Sequence, residues 1–205
     1  MKLNAKQLRD VDEKEIVDKL KSIKHRPIYF ILENIYDTYN IGGLFRLADA
    51  LAIEKMYICG ETEIPPNSRI KKASIGTYKV VNWEYKKTVG EAIDDLKSKF
   101  QNPKSKQIPN SNFQFPNQSP VTNNHFPISI IAVEQHKTSV PYTKVNYSFP
   151  IALIFGNETS GITEETLKLA DQIVEIPMWG INKSLNVIVS AAIVSYWIIS
   201  KNNNK

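Results

Sequence analysis

The chain has 205 residues, 42% of them hydrophobic and 23% charged, with a formal net charge of +5 and a single cysteine. That length supports one domain with a sizeable core, and the positive balance permits an anionic partner without requiring one. Cys59 alone excludes an intrachain disulfide framework and any paired-cysteine zinc or redox site, which leads to the expectation of a reducing, cytoplasmic compartment.

In chain order, residues 5–24 place Leu8, Val11, Ile16, Leu20 and Ile23 among charges, a helical spacing with a narrow apolar stripe. This stretch lacks the apolar core of a secretory leader, and its acids argue against a transit peptide. "PIYFILE" (27–33) reads as a buried strand, followed by a polar loop and a helix from about 41 to 52. "KMYICG" is a strand, "NSRIKKASIGTY" a loop with one short helix, "KVVNWEY" a strand, and "TVGEAIDDLKSKF" a helix ending at Phe100. Residues 101–127 are rich in Asn, Pro, Gln and Ser, and prolines at 103, 109, 116 and 120 forbid a regular element. They read as a low-complexity insertion, inert or RNA-contacting, inside a domain spanning 27–205 that follows a helical extension at 1–26. "ISIIAVE" and "IALIFGN" resume the strands, "TEETLKLA" is a short helix, "QIVEIPM" the last strand, and 184–200 the final helix. That helix falls short of the ~18 apolar residues of a membrane span. Being apolar nearly all round, it calls for burial on more than one face, with a subunit interface as the second.

Strands alternating with helices give an α/β domain with a mainly parallel sheet and helices on both faces. In such sheets ligands gather at the carboxyl ends of strands, and three polar loops, 33–40, 156–161 and 179–183, each follow a strand. "GNETSGIT" has the outline of a phosphate-binding loop, but Ile162 stands where the lysine belongs and Glu158 would oppose phosphates, so a nucleotide triphosphatase is excluded. No GxGxxG follows the first strand. His25, His125 and His136 are scattered without metal-ligand spacing, and no nucleophile elbow is present.

Three stretches taken together resemble the SpoU/TrmH family of RNA ribose methyltransferases in the SPOUT superfamily. The first is Asn40 with Arg46, Ala48 and Ala50; the second is Gly156, Asn157, Glu158 and Gly161 after a strand. The third is Ile176, Pro177, Met178, Gly180, then Ser184, Leu185 and Asn186 opening a helix. The resemblance implies a deep C-terminal trefoil knot, a homodimer, and S-adenosylmethionine as methyl donor to a ribose 2′-hydroxyl of tRNA or rRNA, with no metal and no membrane. It leaves the common N-terminal RNA-binding domain of the family unmatched.

On that resemblance Gly156, Asn157, Gly161, Ile176, Met178 and Leu185 hold the cofactor. Glycine lets the backbone approach, and apolar side chains wrap the adenine. Arg46 is the main catalytic candidate. Because a guanidinium holds its proton past pH ~12, it serves better as a fixed cation for the developing alkoxide than as a base. Asn40 and Glu158 are expected to orient Arg46. Ser184 and Asn186 are expected to position the ribose or the arginine, with Ser184 also capping the last helix. Asn40 has a blander reading as a helix cap, and Glu158 as a turn carboxylate beside a helix N-terminus. Two other functions fit the same fold: a catalytically silent RNA-binding protein and a base-methylating SPOUT enzyme.

Overall fold

Strand β1 (Arg26–Glu33) shows why the sheet is buried on both sides. Its side chains alternate between two apolar layers, Ile28, Phe30 and Leu32 in one and Tyr29 and Ile31 in the other. The computed structural model describes residues 2–11, 20–101 and 128–203. In chain order these contain α1 (Ala5–Asp10), β1, α2 (Thr38–Leu51), β2 (Ile53–Cys59), α3 (Ser68–Ser74), β3 (Trp83–Lys86) and α4 (Val89–Gln101). Beyond them come β4 (Ser129–Val133), β5 (Val140–Pro141), β6 (Ile151–Phe155), α5 (Glu164–Leu167), β7 (Gln172–Glu175) and α6 (Val187–Asn203).

The strands form one parallel sheet in the order β3-β2-β1-β6-β4-β7-β5, as the strand–helix alternation predicts. One layer packs Ile41, Leu44 and Phe45 of α2 and Ala191, Val194 and Ile198 of α6 on the sheet. The other packs Ala92, Ile93 and Leu96 of α4 and Leu167 of α5 on the opposite face. No helix among the described residues is long and apolar enough to cross a membrane.

This strand order positions the site. The chain steps outward from β1 through β2 to β3, then returns on the other side of β1, so direction reverses at the β1–β6 junction. Such a switch point leaves a crevice at the carboxyl ends. Leu32 pairs with Phe155, Ala132 with Ile154, and Val133 with Val174. Strands β1, β6, β4 and β7 therefore end nearly level, and the loops that follow open along one edge.

Several boundaries differ from the sequence reading. Helix α2 begins at Thr38 because Asp37 is the cap, its side chain accepting the Tyr39 N–H at 2.8 Å; Asn40 lies inside the first turn and is buried. Replacing Asp37 with alanine is expected to cost about 1 kcal/mol, read as a lower urea midpoint, with Asp37→Ser keeping most of the loss from appearing. "KVVNWEY" is strand only from Trp83, since Thr77–Lys79 forms a 3-10 turn and the ladder to β2 starts at the Met56–Trp83 pair. Helix α6 starts at Val187 rather than at Ser184. Asn186 supplies the cap, its Oδ1 accepting the Ile188 N–H at 2.9 Å. Of the helix read over 5–24, Ala5–Asp10 is helical and 12–19 lie outside the described residues, as does the insertion from 102 to 127.

Candidate functional site

Two buried or loop-bound carboxylates fix the crevice. Glu33, at the end of β1, accepts the Thr163 N–H at 2.9 Å and the hydroxyls of Thr163 and Thr166. It ties the start of α5, and with it the loop after β6, to the central strand. Glu134, just past β4, accepts the Ile162 N–H at 2.9 Å and the Gln135 N–H at 2.8 Å.

Between them the loop after β6 doubles back on itself. Asn157 and Gly161 exchange two backbone hydrogen bonds, 3.1 and 3.0 Å long. The Asn157 side chain accepts the Thr159 and Ser160 N–H groups and donates to the Asn34 carbonyl at 2.7 Å. Gly161 has φ +69°, and a Cβ on Gly156 would lie 2.5 Å from the Ile162 nitrogen. Both glycines are thus required by the loop's own geometry.

This loop presents Glu158 to the start of α2. Glu158 accepts from Asn40 Nδ2 at 2.8 Å and, more loosely, from the Tyr36 and Asp37 N–H groups at 3.4 and 3.3 Å. Asn40 in turn accepts from Asn186 Nδ2 at 2.9 Å. A continuous chain of hydrogen bonds, Glu158–Asn40–Asn186, therefore joins the three sequence stretches, bringing together residues 118 and 146 positions apart.

These groups edge a cavity of about 970 Å³. Ten of the eleven residues expected at the site line it: Asn40, Glu158, Ser184 and Asn186, with Gly156, Asn157, Gly161, Ile176, Met178 and Leu185. Arg46 does not. It stands exposed on α2, and no described residue bonds its guanidinium. The expectation that Asn40 and Glu158 orient Arg46 is therefore not met within one chain, where the two bond each other. The physical reason is helical phase. Six residues advance a helix by about 240°, so a side chain that faces inward at Asn40 faces away at Arg46. Neither Asp49 nor Glu33 pairs with it; Glu33 is occupied by the two threonines.

The lining also includes residues the sequence reading passed over. Asp37, Glu134 and Glu175 join Glu158, against Lys183 as the one cation among the lining residues. Glu134 and Glu175 could have been found by applying the carboxyl-end rule to "ISIIAVE" and "QIVEIPM" as well. Cys59 is buried, and desolvation together with nearby Glu33 pushes its thiol up to about 12, which excludes it as a nucleophile.

The sequence profile of the SpoU rRNA methylase family matches residues 27–122 and 121–196. The chain belongs to the SpoU rRNA methylase family. Among curated relatives, the tRNA (guanosine(18)-2′-O)-methyltransferase of Escherichia coli K12 is 26% identical over 168 residues, covering 80% of this chain and 59% of the relative. The enzyme of the same name from Aquifex aeolicus is 27% identical over 191 residues, 93% of this chain and 73% of the relative. The chain thus spans about three fifths of the E. coli protein's length. Of solved SpoU-family structures, the methyltransferase AviRb from Streptomyces viridochromogenes superposes with TM-score 0.71 at 20% identity, over 92% of this chain and 64% of AviRb. The A. aeolicus TrmH/SpoU tRNA modifying enzyme gives 0.68 at 20% identity, over 98% and 83%. These likenesses establish the SpoU fold for the parallel sheet and its helices.

Proposed function

We propose that this chain transfers a methyl group from S-adenosylmethionine to a ribose 2′-hydroxyl of tRNA or rRNA. The Glu158–Asn40–Asn186 chain carries the reading, because it converges at a switch-point cavity on the residues that the family motifs name. The activities for which the relatives are named point the same way: 2′-O-methylation of tRNA guanosine and, in a Neisseria meningitidis relative 25% identical over 177 residues, of 23S rRNA guanosine.

The cavity fits the donor on its own terms. Ile176, Met178 and Leu185 offer an apolar wall for adenine, and four carboxylates against one ammonium favour a cationic ligand. A solved AviRb complex carries the same cofactor on the same fold, at TM-score 0.72. When bound there, S-adenosylmethionine supplies an electrophilic methyl group to the attacking oxygen. This acidic lining repels phosphate, so the RNA backbone stays at the rim while the ribose reaches in. Asn40 and Asn186 hold the rim of the site in register, and Ser184 lies on the same lining as a hydroxyl available to the ribose.

Arg46 enters this proposal through a homodimer. Tyr39, Gly43 and Arg46 share one stripe of α2, and a Cβ on Gly43 would lie 3.0 Å from Ile188 Cγ1, so the stripe adjoins α6. Beyond Ile188, α6 leaves Val189 and Tyr196 exposed, and the preceding loop leaves Trp179 and Ile181 exposed at 93% and 103%. A second copy that covers this apolar face stands beside Arg46 and brings its own cavity toward that guanidinium. The C-terminal knot belongs to the same proposal. Support for it is that the loops after β6 and β7 both line one cavity before α6 departs. Residues 27–205 form the catalytic domain, acting where its RNA is found, in the cytoplasm.

The test is incubation of the protein with radiolabelled S-adenosylmethionine and total RNA, followed by digestion to nucleosides. Label in 2′-O-methylnucleosides is the expected result. Label in methylated bases instead, or none, overturns the reading.

A further inference from the structure

A second cavity, of about 440 Å³, opens beside the first and shares two lining residues with it, Tyr36 and Asp37. The remaining lining includes Tyr39, Glu63, Asn67 and Arg69. Two tyrosines stand on the rim of this one small cavity, each more than half exposed (54% for Tyr36 and 55% for Tyr39). Neither is a loose end. The backbone at Tyr36 is held by Glu158, and its hydroxyl donates to Glu61 at 3.1 Å. Tyr39 sits in the first turn of α2, whose cap is Asp37. The rings therefore stand on anchored backbone next to the Glu158–Asn40 bond, where aromatic surface is left free for a flat partner. Arg69 lies at the edge, and Lys71 and Lys72 follow it on α3.

We propose that this second cavity is the seat of an unstacked RNA base, held by stacking on Tyr36 and Tyr39 with the Arg69 guanidinium at its margin. The inference rests on the proposed methyl transfer and deepens it. A nucleotide whose 2′-hydroxyl enters the first cavity across the Tyr36–Asp37 wall must place its base, or that of its neighbour, on the other side of the same wall. Single-stranded RNA is recognised in this way, by aromatic side chains and arginine planes against splayed bases. A peptide ligand is disfavoured, because the lining offers no apolar pocket for side chains and no sheet edge for backbone pairing.

Two measurements test it. In the first, unfractionated tRNA is methylated by the wild type, Tyr39→Ala, Tyr39→Phe, Tyr36→Ala and Tyr36→Phe. Each alanine variant is expected to raise KM for tRNA about tenfold, from stacking energies measured by alanine substitution. Each phenylalanine variant stays near wild type, the Tyr39 variants bind S-adenosylmethionine as the wild type does, and all share one oligomeric state. In the second, a single-stranded RNA hexamer containing 2-aminopurine is titrated with the same proteins. Its fluorescence is expected to be quenched by the wild type and the phenylalanine variants, and not by the double variant Tyr36→Ala/Tyr39→Ala. Quenching that survives the double variant, or no quenching by the wild type, overturns the stacking seat. Alanine variants with wild-type KM do the same. A wild type that quenches the hexamer but methylates no RNA overturns the methyltransferase reading and leaves the base seat standing.

Discussion

Replacing Arg46 with alanine is expected to lower kcat for ribose methylation about 10²–10³-fold, the effect of removing one fixed donor from a developing oxyanion. Affinity for S-adenosylmethionine should stay nearly unchanged, because Arg46 lines no part of its own chain's cavity and is assigned to the ribose oxygen, not to the donor. Isothermal titration with the cofactor and single-turnover kinetics with RNA separate the two effects. Arg46→Lys restores the charge without the planar fork, so partial recovery marks electrostatic stabilisation, and none marks a requirement for paired donors. Mixing then locates the arginine. Arg46→Ala chains combined with Glu158→Ala chains give heterodimers with one site built wholly from intact residues, provided Arg46 serves its partner's cavity. Random pairing then recovers about a quarter of wild-type sites. If the arginine serves its own chain, the mixture stays as inactive as its parts, and the dimer-bridged site fails.

That experiment matters because the sequence and the structure differ most over this residue. The strands were legible because a sheet covered on both faces demands continuous apolar runs, and "PIYFILE" and "IALIF" have them. The cavity was legible through the family resemblance: ten of the residues it singles out, from three stretches, line it. What the motifs could not convey is which side of a helix faces the ligand in an assembly, and Arg46 lies off the cavity that Asn40 lines. Phase could have warned of it, since helical periodicity separates positions 40 and 46. Caps were misplaced for a different reason. Asp37, Asn40, Ser184 and Asn186 are all competent cap residues, and only the tertiary bonds decide among them. Asn40 is consumed by Glu158 and Asn186, leaving Asp37 to start α2. The two-residue strand β5 carries no periodic signal at all.

Gly156→Ala is expected to disrupt both the fold of the loop after β6 and the donor site it lines. The added carbon meets Gly161 carbonyl atoms and lies 2.5 Å from the Ile162 nitrogen. These are backbone atoms, which cannot rotate aside as a side-chain tip would. Moving them breaks the Asn157–Gly161 bridge and draws Ile162 off Glu134. The cost is expected at about 3 kcal/mol, the upper end of overpacking penalties. It should read as a lower urea midpoint together with a loss of S-adenosylmethionine affinity of at least tenfold. Far-UV circular dichroism should stay close to wild type, because the sheet ends before the loop begins. Gly180→Ala is the matched control: nothing lies within 4 Å of a Cβ there, so its stability should equal wild type. If Gly156→Ala unfolds at the wild-type midpoint and binds cofactor normally, the loop has room that its hydrogen bonds deny. The donor pocket would then not depend on the folded-back turn that presents Glu158 to Asn40.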